Sequence, residues 1–175
     1  GVLVLCVGRA TKTIPHWVDT PKGYRATVRL GATTASYDAE TEIQPTDQAI
    51  PIWNEAIQAE LLERFTGEID QIPPVFSAVR VDGKRAYAEA RKGKEVDMPS
   101  RRVSIFSLDF VQTEGDTWVL DVACSKGTYI RSLAHDIGAV LGCGAYLAGL
   151  VRTQVGDFHL EESHSVQEVL DALSA

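Results

Sequence analysis

The chain has 175 residues, 45% of them apolar and 23% charged, and a net charge of −7. That length suits one domain that buries about two thirds of the surface its unfolded chain exposes. No apolar run approaches the roughly 20 residues that span a bilayer, which argues against a membrane protein. Three cysteines and four histidines, in no ligand-like spacing, argue against a disulfide framework and a zinc site, so a reducing cytoplasm is expected.

In chain order, Gly1 to Val7 is apolar but lacks the basic flank and cleavage site of a signal peptide, and it reads as a core strand. Tyr24 to Leu30 alternates, with Tyr24, Ala26, Val28 and Leu30 on one face and Arg25, Thr27 and Arg29 on the other; this is a half-buried strand. Gly31 to Thr41 is small and polar and reads as a loop ordered by side-chain-to-backbone hydrogen bonds. Asn54 is placed to cap a helix whose Ile57, Leu61 and Phe65 recur every four residues before Gly67. Pro73-Pro74 imposes an extended segment up to Val81, and Asp82-Gly83 turns into a helix from Ala86 to Lys92. Arg102 to Gln112 is a strand joined by the Glu114-Gly115-Asp116 turn to a second strand, where Trp118, Leu120 and Val122 share a face and pairing ends near Cys124.

From Cys124 the chain runs Ser125-Lys126-Gly127-Thr128-Tyr129-Ile130-Arg131. Thr128 reads as the cap of a helix in which Ile130, Leu133, Ala134, Ile137 and Leu141 recur at spacings of three and four, and Gly142 ends it. A strand, a small-residue turn and a helix start beside Lys126 and Arg131 are suited to holding an anion or a carboxylate. An ordinary crossover with solvated charges fits the same pattern. Val166 to Leu173 is a terminal helix. Strands and helices mixed without strict alternation predict an α+β single domain with a mixed, mostly antiparallel sheet flanked by helices.

Charge is unevenly spread. Residues 79 to 103 hold eight basic side chains (Arg80, Lys84, Arg85, Arg91, Lys92, Lys94, Arg101, Arg102) against four acidic ones, a local net charge of +4. With Tyr87 interleaved, the stretch fits either a localised phosphate-binding surface or a solvated helix face. The phosphate loop, the nucleophile elbow and the helical zinc-protease motif are all missing. His135 reads as a core or surface residue.

Several blocks in order resemble the bacterial tRNA pseudouridine-55 synthases of the TruB type. They are Lys12 after Gly8-Arg9-Ala10-Thr11, the Tyr24 to Gly31 strand, and Phe65-Thr66-Gly67 through Gln71-Ile72-Pro73-Pro74-Val75-Phe76-Ser77-Ala78. The Gly83 to Gly93 turn and helix, Lys126 to Arg131, Leu141-Gly142-Cys143-Gly144-Ala145 and Leu150-Val151-Arg152-Thr153 complete the series. The resemblance implies a uridine isomerase acting on the T-arm of tRNA. The base is flipped out, detached from its sugar with help from an aspartate, rotated and rejoined through carbon 5, with no metal or organic cofactor. In that family Tyr24 matches the tyrosine that stacks on the flipped base, although core packing explains its spacing equally well. Arg131 matches the arginine that pairs with the catalytic carboxylate. Tyr129 and Leu150 match positions lining the uracil pocket, and Lys12, Lys84, Arg85 and Arg152 are the expected RNA contacts. A monomer is expected.

The nucleophilic aspartate belongs to a Gly-His-x-Gly-x-Leu-Asp-Pro type segment that would end just before Gly1 and is not among these 175 residues; Asp38 matches a different family position. The expectation is an N-terminally incomplete catalytic core, inactive as it stands, with its C-terminal RNA-binding extension absent or truncated. The alternative is a non-catalytic tRNA-binding or folding module of the same fold. A member of the guide-RNA-dependent branch would also need protein partners.

Overall fold

The alternation of Tyr24 to Leu30 produces the strand around which the rest is built. Along β1 (Lys22–Leu30), Ala26, Val28 and Leu30 are buried while Arg25 and Arg29 are exposed, as a strand with one packed face requires. The structure is a computed structural model and describes residues 1–81, 83–90 and 96–174. Before β1 come a 3-10 turn (Gly8–Thr13) and α1 (Ile14–Asp19); after it β2 (Ala32–Thr33) and β3 (Gln44–Pro45) form a two-stranded ribbon. Next come α2 (Glu55–Phe65), β4 (Gly67–Gln71), the β5 (Arg80–Val81) and β6 (Lys84–Arg85) hairpin, and α3 (Ala86–Ala90). The second half holds β7 (Arg101–Gln112), β8 (Thr117–Cys124), α4 (Ile130–Val140), β9 (Ala145–Val155), β10 (Phe158–His159) and α5 (Val166–Ser174).

The main sheet has the order β10-β9-β1-β8-β7-β4, and every neighbouring pair is antiparallel. The α+β class with a mostly antiparallel sheet flanked by helices is as expected, and a parallel bridge joins Asp38 to Leu147 of β9. β1 lies between β8 and β9, so Tyr24 faces Val122 on one side and Arg152 on the other. Leu61 and Phe65 of α2 and Leu133 and Ile137 of α4 join Trp118, Leu120 and Val28 in one core. Each such fully buried side chain contributes on the order of 1.5 to 3 kcal/mol. Asn54 caps α2 as its sequence predicts, its carboxamide oxygen accepting from the Ala56 and Ile57 amides at 3.0 Å each.

Two expectations need correcting. Gly1 to Val7 is not a core strand: Val2 is buried, but Leu3, Leu5 and Val7 are 69%, 78% and 83% exposed. The segment is tied to β9 at Arg152 and is outside every strand of the sheet, so one side of it never meets the core. The helix at Arg131 is capped at Tyr129 instead of Thr128. Thr128 turns its hydroxyl back to the Ser125 carbonyl at 3.0 Å, and the Tyr129 amide is satisfied by a distant glutamine. Asp82 of the expected turn and Arg91, Lys92, Lys94 and Glu95 of the basic stretch lie outside the described residues.

Candidate active site

The start of α4 is held by side chains far away in sequence. Gln71, 1% exposed at the end of β4, accepts from the Tyr129 amide at 2.8 Å and donates to the Tyr129 carbonyl at 3.1 Å. Both faces of its carboxamide are therefore spent on one residue, which removes the cost of burying it. One residue on, the Ser132 hydroxyl donates to the Ile72 carbonyl at 2.7 Å. These contacts fix the first turn of α4 against the Pro73-Pro74 segment. The Arg101 guanidinium sits 5.5 Å from the centre of the Tyr129 ring, within cation–π range.

Arg131 projects from that turn into a cage of oxygens. Its Nη1 donates to the Asp38 carboxylate at 2.9 Å and to the Ser36 carbonyl at 3.2 Å, and its Nη2 donates to the Phe76 carbonyl at 3.0 Å. The side chains of Arg131 and Asp38 are 22% and 17% exposed, so the pair is largely withdrawn from water. Guanidinium carries five N–H donors, and among the described residues Nε and one Nη2 hydrogen meet no acceptor. The Asp38 carboxylate is fixed in turn: its Oδ1 accepts from the Ser36 hydroxyl at 2.5 Å and from the Glu40 amide at 3.0 Å. The small polar loop is ordered by side-chain hydrogen bonds as its composition predicts, and it holds Asp38 against Arg131.

A second group forms around Tyr24. Burial pushes its phenol above the usual tyrosine range, with Cys124 adding to the rise and the positive charge of Arg152 opposing it by less. The hydroxyl is therefore protonated at neutral pH. Arg152 also donates from Nε to the Val2 carbonyl at 2.7 Å and accepts at its own carbonyl from the Val2 amide at 2.8 Å. Gly1 lies so close that a Cβ there would stand 2.7 Å from the Arg152 nitrogen. Any residue joined to the amino side of Gly1 thus starts beside the Arg152 backbone.

Comparison with known proteins bears on this arrangement. The profile of the TruB family pseudouridylate synthase N-terminal domain matches residues 1–130, and that of the tRNA pseudouridylate synthase B C-terminal domain matches residues 131–175. The chain belongs to the TruB family. It is 48% identical over 167 residues to the tRNA pseudouridine synthase B of Phocaeicola vulgatus, covering 95% of this chain and 71% of that protein. The same enzyme of Parabacteroides distasonis is 47% identical over 173 residues, with 99% and 73% covered. That of Francisella tularensis subsp. novicida is 44% identical over 171 residues, with 98% and 57% covered. Among solved structures, one from a Cbf5-Nop10-Gar1 complex superposes with a TM-score of 0.66 at 26% identity, over 94% of this chain and 40% of the matched one.

Against this TruB background, the expected site residues separate into two groups. Arg131 and Tyr129 share the start of α4, while Tyr24, Arg152 and Leu150 sit on β1 and β9, with Leu150 opposite Ala26 and 45% exposed. Lys12 is exposed in the 3-10 turn. Lys84 and Arg85 lie on the β5–β6 hairpin, which is stitched to the Phe76 segment by the Ala86 amide to the Val79 carbonyl and the Tyr87 amide to the Ser77 carbonyl. Asp38, the residue that Arg131 holds, is not among the expected site residues. A signal was present in Asp38 itself, since an aspartate in a small polar loop commonly accepts from the backbone amide two residues on, here that of Glu40.

Close to this site, α4 carries a carboxyl with an unusual proton affinity. Burial pushes Asp136 from 3.8 up to about 6. The native state then binds its proton more tightly than the unfolded chain, so stability falls as pH rises from about 4 to about 6 and is level above that. Asp136→Asn is expected to raise unfolding free energy at pH 7 by about 1 kcal/mol, a figure discounted for the partial exposure of the group. Urea unfolding at both ends of the range checks this: the gain should vanish near pH 4, and an equal gain at both would place its origin elsewhere.

Proposed function

We propose that these 175 residues are the catalytic core of a tRNA pseudouridine synthase that isomerises a uridine in the T-arm, as a cytoplasmic monomer with no metal or organic cofactor. The observation that carries this reading is the caged Arg131. Its guanidinium is oriented by Asp38, Ser36 and Phe76 and keeps donors free on its Nε–Nη2 side, a geometry suited to a second, reactive carboxylate. That carboxylate is the aspartate of the family, reaching the site from residues on the amino side of Gly1.

In the reaction, the aspartate assists departure of uracil from C1′ of the ribose. Arg131 keeps it ionised and aimed, because two charge-assisted bonds favour the anion over the acid. The Tyr24 ring supports the flipped base while it rotates to present carbon 5. After carbon 5 bonds to C1′, carbon 5 gives up its proton to the Tyr24 hydroxyl oxygen, which passes its own hydrogen on to solvent water, while Arg152, a donor only, stabilises the negative charge that develops on that oxygen. Lys12, Lys84, Arg85 and Arg152 supply phosphate contacts.

Tritium release from carbon-5-labelled uridine in tRNA tests this. The 175 residues alone are expected to bind tRNA with an affinity that falls steeply with salt and to release no tritium. Joining the aspartate-bearing segment to Gly1 should give turnover. Turnover by the 175 residues alone would refute the assignment of the nucleophile, and binding without turnover in the extended protein would favour the tRNA-binding module.

A further inference from the structure

Two residues beside the Arg131 cage have no part in the chemistry above: Tyr37 and His135. Tyr37 is the one non-glycine with a positive φ among the described residues, at 64°. A bulky residue holds that conformation only where its surroundings enforce it. Here its ring lies flat on the His135 imidazole, with centroids 3.9 Å apart and planes 9° from parallel. Its carbonyl accepts from the Leu147 amide at 2.9 Å.

His135 follows Arg131 by four residues on α4, so the two side chains stand one turn apart on the same helix face. Arg131 holds the Ser36 carbonyl and the Asp38 carboxylate on a single nitrogen, at 3.2 and 2.9 Å, while His135 holds the ring of the residue between them. The left-handed turn at Tyr37 lets residues 36 and 38 reach the same nitrogen. The imidazole is not placed for hydrogen bonding through Nδ1, which is buried and meets no partner among the described residues. What it offers the loop is a flat face.

We propose that the Tyr37–His135 stack is a positioning device that locks the Asp38 loop onto Arg131, making both of them positioning residues for the reaction. The importance of the pair for turnover rests on the function proposed above; the locking itself does not. Without the stack, residue 37 relaxes out of its left-handed conformation and one of the two contacts to Nη1 is released.

The guanidinium ¹⁵N–¹H resonances of Arg131 read the lock directly in the 175-residue chain, with no substrate. Slowly exchanging signals are expected in the unaltered chain and in Tyr37→Phe, which keeps the ring. They should be lost in His135→Leu, which fills the space without a flat face, and regained in His135→Phe. Tyr37→Ala serves in place of His135→Leu if the latter does not fold. Retention of the signals in a folded His135→Leu or Tyr37→Ala chain overturns the proposal. In the aspartate-bearing protein, His135→Leu should lower kcat about tenfold at unchanged KM, and a loss confined to KM would overturn the positioning role. If Arg131 loses its signals in a protein that never modifies tRNA, the lock stands and the proposed function fails.

Discussion

Arg131→Lys, made in the aspartate-bearing protein, is expected to lower tRNA pseudouridylation by about 10²-fold or more while leaving tRNA affinity within about twofold. The guanidinium performs several tasks at once in a fixed plane. It binds Asp38 at 2.9 Å, Ser36 at 3.2 Å and Phe76 at 3.0 Å, and by our reading aims a further carboxylate from its remaining donors. An ammonium has three donors on a flexible stem and no plane, so it can follow one carboxylate but cannot hold two at a set separation. The positive charge survives and long-range attraction to RNA with it. Single-turnover rates and filter binding on the same variant separate these effects. A loss of binding as large as the loss of rate would make Arg131 a phosphate contact, and an unchanged rate would remove it from the active site.

The framework was readable from sequence wherever its cause is local. The alternation in β1 and β8, the Asn54 cap and the glycine after α4, with Gly142 at φ 73°, depend on residues within a few positions of one another. The site was readable only in part, because its contacts are long-range. Asp38 and Arg131 are 93 residues apart, and Gln71 and Tyr129 are 58 apart. The error at Thr128 has that origin: a threonine before an apolar period is a good cap by its own chemistry, but the Gln71 carboxamide takes the Tyr129 amide first and shifts the helix start. Gly1 to Val7 misled for another reason. Apolar composition signals burial, but strand formation also needs a partner edge, and Arg152 offers this segment contacts at Val2. The ordered blocks of the family point to Arg131 as a candidate; its oxygen cage was not legible, because its carbonyl ligands, at Ser36 and Phe76, bind through backbone that any residue type presents.

Tyr24→Phe separates the packing role of this residue from its chemical one. The ring is half-buried against the core and carries a hydroxyl whose proton is held more tightly than usual because of burial. Were the residue only packing, deleting one hydroxyl at a partly open site would cost about 1 kcal/mol of stability or less and nothing in rate. We expect instead that Tyr24→Phe keeps its fold and its tRNA affinity, because the ring remains, and stops after the base has been detached and rejoined, because no group is left to move the carbon-5 proton. Tyr24→Leu should in addition lose the stacking platform, worth roughly 1 to 3 kcal/mol per base, so the flipped state itself becomes rare. Rapid-quench analysis of the aspartate-bearing variants distinguishes them. The phenylalanine protein should accumulate a carbon-linked product that still holds its tritium, and the leucine protein should leave the uridine untouched. Full tritium release by Tyr24→Phe would assign the proton to another base and leave the ring of Tyr24 as its only contribution.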